Sequence, residues 1–161
     1  MKKISTLKIV TFLLLLLPCI TWSQNAPAPR SEPLVDKDLR AKSLTPIPDK
    51  AIVYIMRPTQ YGFLFRMKMF CNDLLLGTTM SETYLYTIID PGFYNFVSKS
   101  ENKYEFELKV EAGKIYYLKQ QVRAGAIYVR TKLELLSEAK GKKYLAKCKL
   151  SSDNAYDQAA P

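Results

Sequence analysis

The 161 residues include no histidine, and that limits the chemistry open to the chain. A Ser-His-Asp or Cys-His nucleophile system needs an imidazole to carry the proton. Catalytic zinc draws its ligands mostly from His. Neither can be assembled here. Hydrolysis by a carboxylate pair needs only Asp and Glu. Asp73, Asp90 and Glu111, all in expected turns, are the residues on which a glycan-acting hydrolase would rest. Acidic residues also occur at turns for a local reason, because their side chains hydrogen-bond the turn's own backbone. There is no Gly-rich phosphate loop and no nucleophile elbow. The sequence therefore favours a protein that is not an enzyme, with no catalytic residue, no cofactor and no metal site. A paired-carboxylate hydrolase is the alternative.

Three cysteines complete the reactive inventory. Cys19 lies in an apolar run near the start. Cys71 and Cys148 are far apart and have no metal-ligand spacing. In an exported chain such a pair suggests a disulfide; the other reading is two separate buried thiols. Cys71 alternates with Met67 and Met69, and Cys148 shares an apolar stripe with Tyr144 and Leu145. Both are expected to face a core, and the helix carrying Cys148 could lie across the strand carrying Cys71.

Export is read from the first 23 residues. Lys2, Lys3 and Lys8 give a basic start, Ile9 to Ile20 is almost unbroken apolar chain, and Thr21-Trp22-Ser23 places small residues before a cut between Ser23 and Gln24. That is the layout of a signal peptide. The apolar run, about a dozen residues, is too short to span a bilayer of ~30 Å. Lipidation at Cys19 is the lesser reading, because Pro18 stands where that processing wants a small residue. The expected location is the periplasm or cell envelope. Of the net charge of +9, three belong to the leader lysines, leaving +6. A basic exported chain fits a protein partner or an anionic envelope polymer. No Arg-rich run or motif points to nucleic acid, and membrane association is expected only through envelope anchoring.

The elements that must position these residues follow from pattern. Residues 24–49 hold five of the nine prolines and read as an extended linker. From Ala51 the pattern becomes strand-like: Ala51–Met56, Met67–Cys71, Leu74–Met80, Tyr84–Ile89, Phe93–Ser98, Tyr104–Val110, Tyr116–Val122 and Ile127–Leu135. Asn72-Asp73, Asp90-Pro91-Gly92, Ala112-Gly113 and Gly125 mark turns. Period-two alternation gives each strand one buried and one wet face. About eight strands of this kind predict an all-β, antiparallel β-sandwich over residues 50–150, with most of the eleven tyrosines in core and rim. A short amphipathic helix is expected over Ser137–Lys147. Ser137 would cap it, and Gly141 would weaken it by ~1 kcal/mol. Residues 151–161 read as a flexible polar tail.

Lys50-Ala51-Ile52-Val53-Tyr54-Ile55-Met56-Arg57-Pro58, Asp90-Pro91-Gly92 and Glu111-Ala112-Gly113-Lys114-Ile115-Tyr116-Tyr117-Leu118-Lys119-Gln120 together resemble an uncharacterised family of exported bacterial proteins, the domain of unknown function 2846 type. The likeness runs from about Lys50 to Leu150. It implies a β-sandwich akin to surface modules built around a Pro-Gly turn. Many members look like lipoproteins, a pattern from which Pro18 departs. The resemblance carries over no catalytic residue. The sequence thus leads to an exported, non-enzymatic envelope β-sandwich with a binding or structural role.

Overall fold

The computed structural model describes residues 33–156. The signal segment, with Cys19 and the Ser23–Gln24 junction, lies outside the described residues. Nine strands form two sheets: β1 (Ala51–Arg57), β2 (Met67–Cys71), β3 (Leu74–Thr79), β4 (Thr83–Ile89), β5 (Gly92–Lys99), β6 (Lys103–Val110), β7 (Ile115–Ala124), β8 (Val129–Leu136) and β9 (Lys149–Leu150). One sheet has the order β8-β7-β1-β4-β9 and the other β3-β2-β5-β6. The sandwich expected from alternation is present. It is not purely antiparallel, because β1 pairs with β7 and β4 with β9 in parallel.

The turns are made partly as expected. Asn72 and Asp73 both adopt positive φ, 44° and 67°, which lets β2 and β3 close as a tight hairpin. Gly113 has φ 72°, and its N–H donates to the Ile47 and Lys50 carbonyls. Gly92, in contrast, opens β5 without positive φ, so the Pro-Gly turn does not use the glycine's left-handed freedom.

β1 sets the organisation of the molecule. Every one of its seven residues is buried, as in strands covered on both faces. Ala51, Val53 and Ile55 face the other sheet, with Met69, Leu85, Phe96, Leu118 and Leu133. Ile52, Tyr54 and Met56 face away from it, into a second core with Tyr84, Tyr86, Tyr117, Leu145 and Leu150. Among the described residues two helices, α1 (Leu34–Lys42) and α2 (Glu138–Leu145), contribute Ala41 and Leu145 to this outer core.

α1 corrects the reading of residues 24–49 as an extended linker. Asp36 in its first turn and Arg40 and Lys42 in its last complement the helix dipole. Its apolar side chains Leu34, Val35 and Leu39 are exposed. The helix is tied down through polar groups: Tyr54 donates its hydroxyl to the Ala41 carbonyl, Tyr84 to the Asp38 carbonyl, and the Leu150 N–H donates to the Asp38 carboxylate at 2.8 Å. The described part of the tail also departs from expectation. Ser151 donates its N–H to the Tyr84 carbonyl and its hydroxyl to the Thr78 carbonyl. Buried Asn154 accepts the Tyr86 N–H. The bonds to Tyr84 and Tyr86 satisfy the edge of β4 that β9 leaves open, and the bond to Thr78 reaches β3 of the other sheet.

Candidate functional site

α2 lies over the outer face of the five-stranded sheet, and its contact depends on a glycine. A Cβ on Gly141 would fall 2.2 Å from Cγ of Tyr117, so only a residue without a side chain lets the helix backbone rest on that ring. The glycine that weakens helix propensity is thus the point of closest approach. Ser137 occupies the N-cap position but makes no side-chain capping bond.

The helix divides the outer face into two recesses. On one side a groove of about 600 Å³ runs between α2 and the segment after α1. Tyr54 and Tyr117 form its floor, stacked with centroids 5.6 Å apart and planes 13° from parallel. Ile115 and Leu145 add apolar wall, and Lys42, Lys114, Lys142 and Glu138 line the rim. Burial pushes the Tyr54 and Tyr117 hydroxyls above their ordinary range; Glu138 adds to this for Tyr117 and Lys142 opposes it. Both therefore stay neutral hydrogen-bonding groups. The rim lysines are paired, Lys42 with Asp38 at 2.8 Å, Lys114 with Glu111 at 2.5 Å and Lys142 with Glu138 at 2.6 Å.

On the other side of α2 a cleft of about 430 Å³ is lined by Lys119, Lys140, Lys143, Lys147, Tyr144, Leu136 and Glu134. Lys119 sits 5.1 Å from the centre of the Tyr144 ring, a cation–π contact that orders the ammonium without neutralising it. Glu134 accepts a hydrogen bond from the Gln121 amide. The two recesses together carry seven lysines and two glutamates. This arrangement offers a strip of ammonium donors over aromatic and aliphatic floor. Chemically it suits a ligand with repeated anionic groups and an apolar or ring-shaped body.

The structure does not bring the expected carboxylates into either recess. Asp90 is bound to Lys50 at 2.6 Å and Glu111 to Lys114, both on open surface, and Asp73 occupies the β2–β3 turn. Lys114 holds Glu111 below its ordinary range, the opposite of what a general acid needs. Among the described residues no three Cys, Asp or Glu side chains converge as a metal set.

Cys71 and Cys148 are both buried, as their alternation suggests, and both are free. The disulfide reading and the placement of the helix across the Cys71 strand are corrected: Cys71 belongs to the inter-sheet core and Cys148 to the outer core. The five-stranded sheet lies between them. Burial pushes their thiols up to about 11 and about 12, so neither is an active nucleophile near neutrality. Sequence reasoning missed the groove and its floor. The signal available was the unbroken apolar run from Ala51 to Met56, which marks a strand covered on both sides.

An uncharacterized protein of Haemophilus influenzae is 26% identical over 100 residues, which is 62% of this chain and 60% of that protein, less than two thirds of its length. No solved structure matches the chain. The model of a protein family matches residues 48–132, which run from just before β1 to the middle of β8. The match is shorter than the resemblance from Lys50 to Leu150. It contains β1 to β7 and half of β8, but not the edge strand β9 and neither of the two helices that roof the outer face. As it spans more than half of the 161 residues, the chain belongs to the family described as Protein of unknown function (DUF2846).

Proposed function

We propose that this is an exported, non-enzymatic envelope protein that binds an anionic polymer along the α2 face. The observation that carries the reading is the lysine set of the two recesses. Lys140, Lys143 and Lys147 line the cleft with no carboxylate paired to them among the described residues. Unpaired ammonium groups on one face leave a positive field that a polyanion satisfies. The basic leader with its apolar run and Thr21-Trp22-Ser23 junction supports export. Binding to dextran sulfate, with neutral dextran as control, tests the proposal. The protein should bind the sulfated polymer only, more weakly as salt rises. A triple variant, Lys140→Gln, Lys143→Gln and Lys147→Gln, should lose affinity by roughly tenfold or more. Equal binding of dextran and dextran sulfate, or an unaffected triple variant, would refute it.

A further inference from the structure

We propose a second interaction surface at the far end of β7: an apolar tip, built from the loops 58–66 and 125–128, that docks into an anionic lipid surface. Ile127 is 95% exposed, Leu64 76% and Phe63 63%, with Tyr61 also open to solvent. The two loops form one surface, because Phe65 meets Tyr128 edge to face with ring centroids 4.1 Å apart.

This exposure is held in place. Arg57 is fully buried and donates to the carbonyls of Tyr61, Gly62 and Phe65. Glu101 accepts the backbone N–H groups of Ala126, Ile127 and Tyr128. Each loop thus has three backbone groups satisfied from within while Phe63, Leu64 and Ile127 stay exposed. A contiguous exposed apolar patch of this kind marks an interaction site.

The charges behind the tip identify the occupant. Arg123 and Arg130 stand directly opposite each other in the β7–β8 ladder, one residue back from the loop. Like charges so placed repel, and Glu101, 3.7 Å from Arg130, is already engaged with three N–H groups. Arg57 adds a buried cation whose guanidinium donates to three carbonyls and meets no carboxylate among the described residues. Apolar side chains in front and guanidinium groups behind match the acyl boundary and headgroup layers of an anionic bilayer. Lys119, the cleft lysine on β7, lies five residues before the end of that strand, ~17 Å at ~3.3 Å per residue. That exceeds the Debye length of ~8 Å at physiological salt, so the two surfaces act independently.

The test uses the full chain with Trp22→Phe, so that Phe63→Trp supplies the sole indole. All variants share one N-terminus, and the apolar leader contributes equally to each. With vesicles of phosphatidylglycerol and phosphatidylcholine, the emission should shift to the blue and be quenched by brominated acyl chains. Phosphatidylcholine alone should give a much smaller shift. Adding Leu64→Asp and Ile127→Asp should weaken the response roughly tenfold or more, whereas the lysine triple variant of α2 should leave it unchanged. Emission unmoved by anionic vesicles would overturn the proposal. So would a shift abolished by the lysine variant, or a blue shift that grows with protein concentration without lipid, which would mean that a second copy covers the tip.

Discussion

The two faces of the five-stranded sheet are buried by different means. The inner face is covered by another sheet, and each side chain in it is dictated by alternation along its own strand. Its polar exception is closed: Gln120 donates to Ser98 at 2.6 Å, accepts from Thr79, and Ser98 bonds Thr131 at 2.6 Å. The outer face is covered piecemeal by α1 and α2, which flank the sandwich strands in the chain, while the edge strand β9 adds Leu150 to the outer core. Its core is rich in tyrosine and leaves two recesses. The family match begins after α1 and ends before α2, so the sandwich strands are the matched part and both covering helices lie outside it.

The largest expected effect belongs to the inner core. Phe96→Ala should cost ~3–5 kcal/mol in urea unfolding, because the ring is fully enclosed between the sheets. Phe106→Ala should cost less, ~1–2 kcal/mol: its facing is as alternation predicts, but the ring is only half-buried against that core. A larger loss at Phe106 than at Phe96 would invert the assignment of the two sites.

Next comes removal of α1. A chain starting near Asp49 should keep the inter-sheet core and still fold, with a loss of ~2–4 kcal/mol as the tyrosine cluster loses its cover and the Tyr54 hydroxyl its acceptor. Unchanged stability would restore the view of residues 24–49 as a mere linker. Gly141→Ala should be smaller. It gains up to ~1 kcal/mol of helix propensity, but the new methyl meets the Tyr117 ring. A net loss of ~1–2 kcal/mol is expected from overpacking, and a net gain would show that α2 does not rest on that ring.

Thiol labelling sharpens the comparison without altering stability. Both thiols should resist alkylation in native protein near pH 8, since burial holds them at about 11 and about 12. With slowly rising denaturant, Cys148 should label before Cys71, because the roof can open locally while the sheet pair opens only globally. Simultaneous labelling would mean one cooperative unit. The smallest effect concerns acid. The Tyr128 N–H first, with those of Ala126 and Ile127, holds Glu101 below its ordinary range. A group depressed in the folded state contributes stability above its unfolded pKa and loses it as pH falls through the folded value. Amide exchange in residues 125–128 should therefore quicken in acid, below the usual glutamate range, before the rest of the protein is affected. An exchange rate following only the intrinsic pH dependence would contradict this.

How legible the molecule is from sequence follows the same division. β2, β6 and β8 are plain because one face is wet and one dry, and Met67, Met69 and Cys71 point inward as expected. α1 is hidden because its leucines stay exposed and its contacts run through main-chain carbonyls and Asp38, which leave no hydrophobic period. The groove is hidden for a related reason: its floor joins Tyr54 and Tyr117, which only the parallel β1–β7 pairing sets side by side. Lys140, Lys143 and Lys147 are visible as a charged helix face, but the cleft beneath them depends on Gly141 meeting Tyr117.

Polyanion binding at the outer face is open to amide hydrogen exchange with and without dextran sulfate. Slower exchange is expected in 138–145 and in the start of β7, with sheet β3-β2-β5-β6 unchanged. Slowing confined to that second sheet, or no change where the polymer is bound, would contradict it.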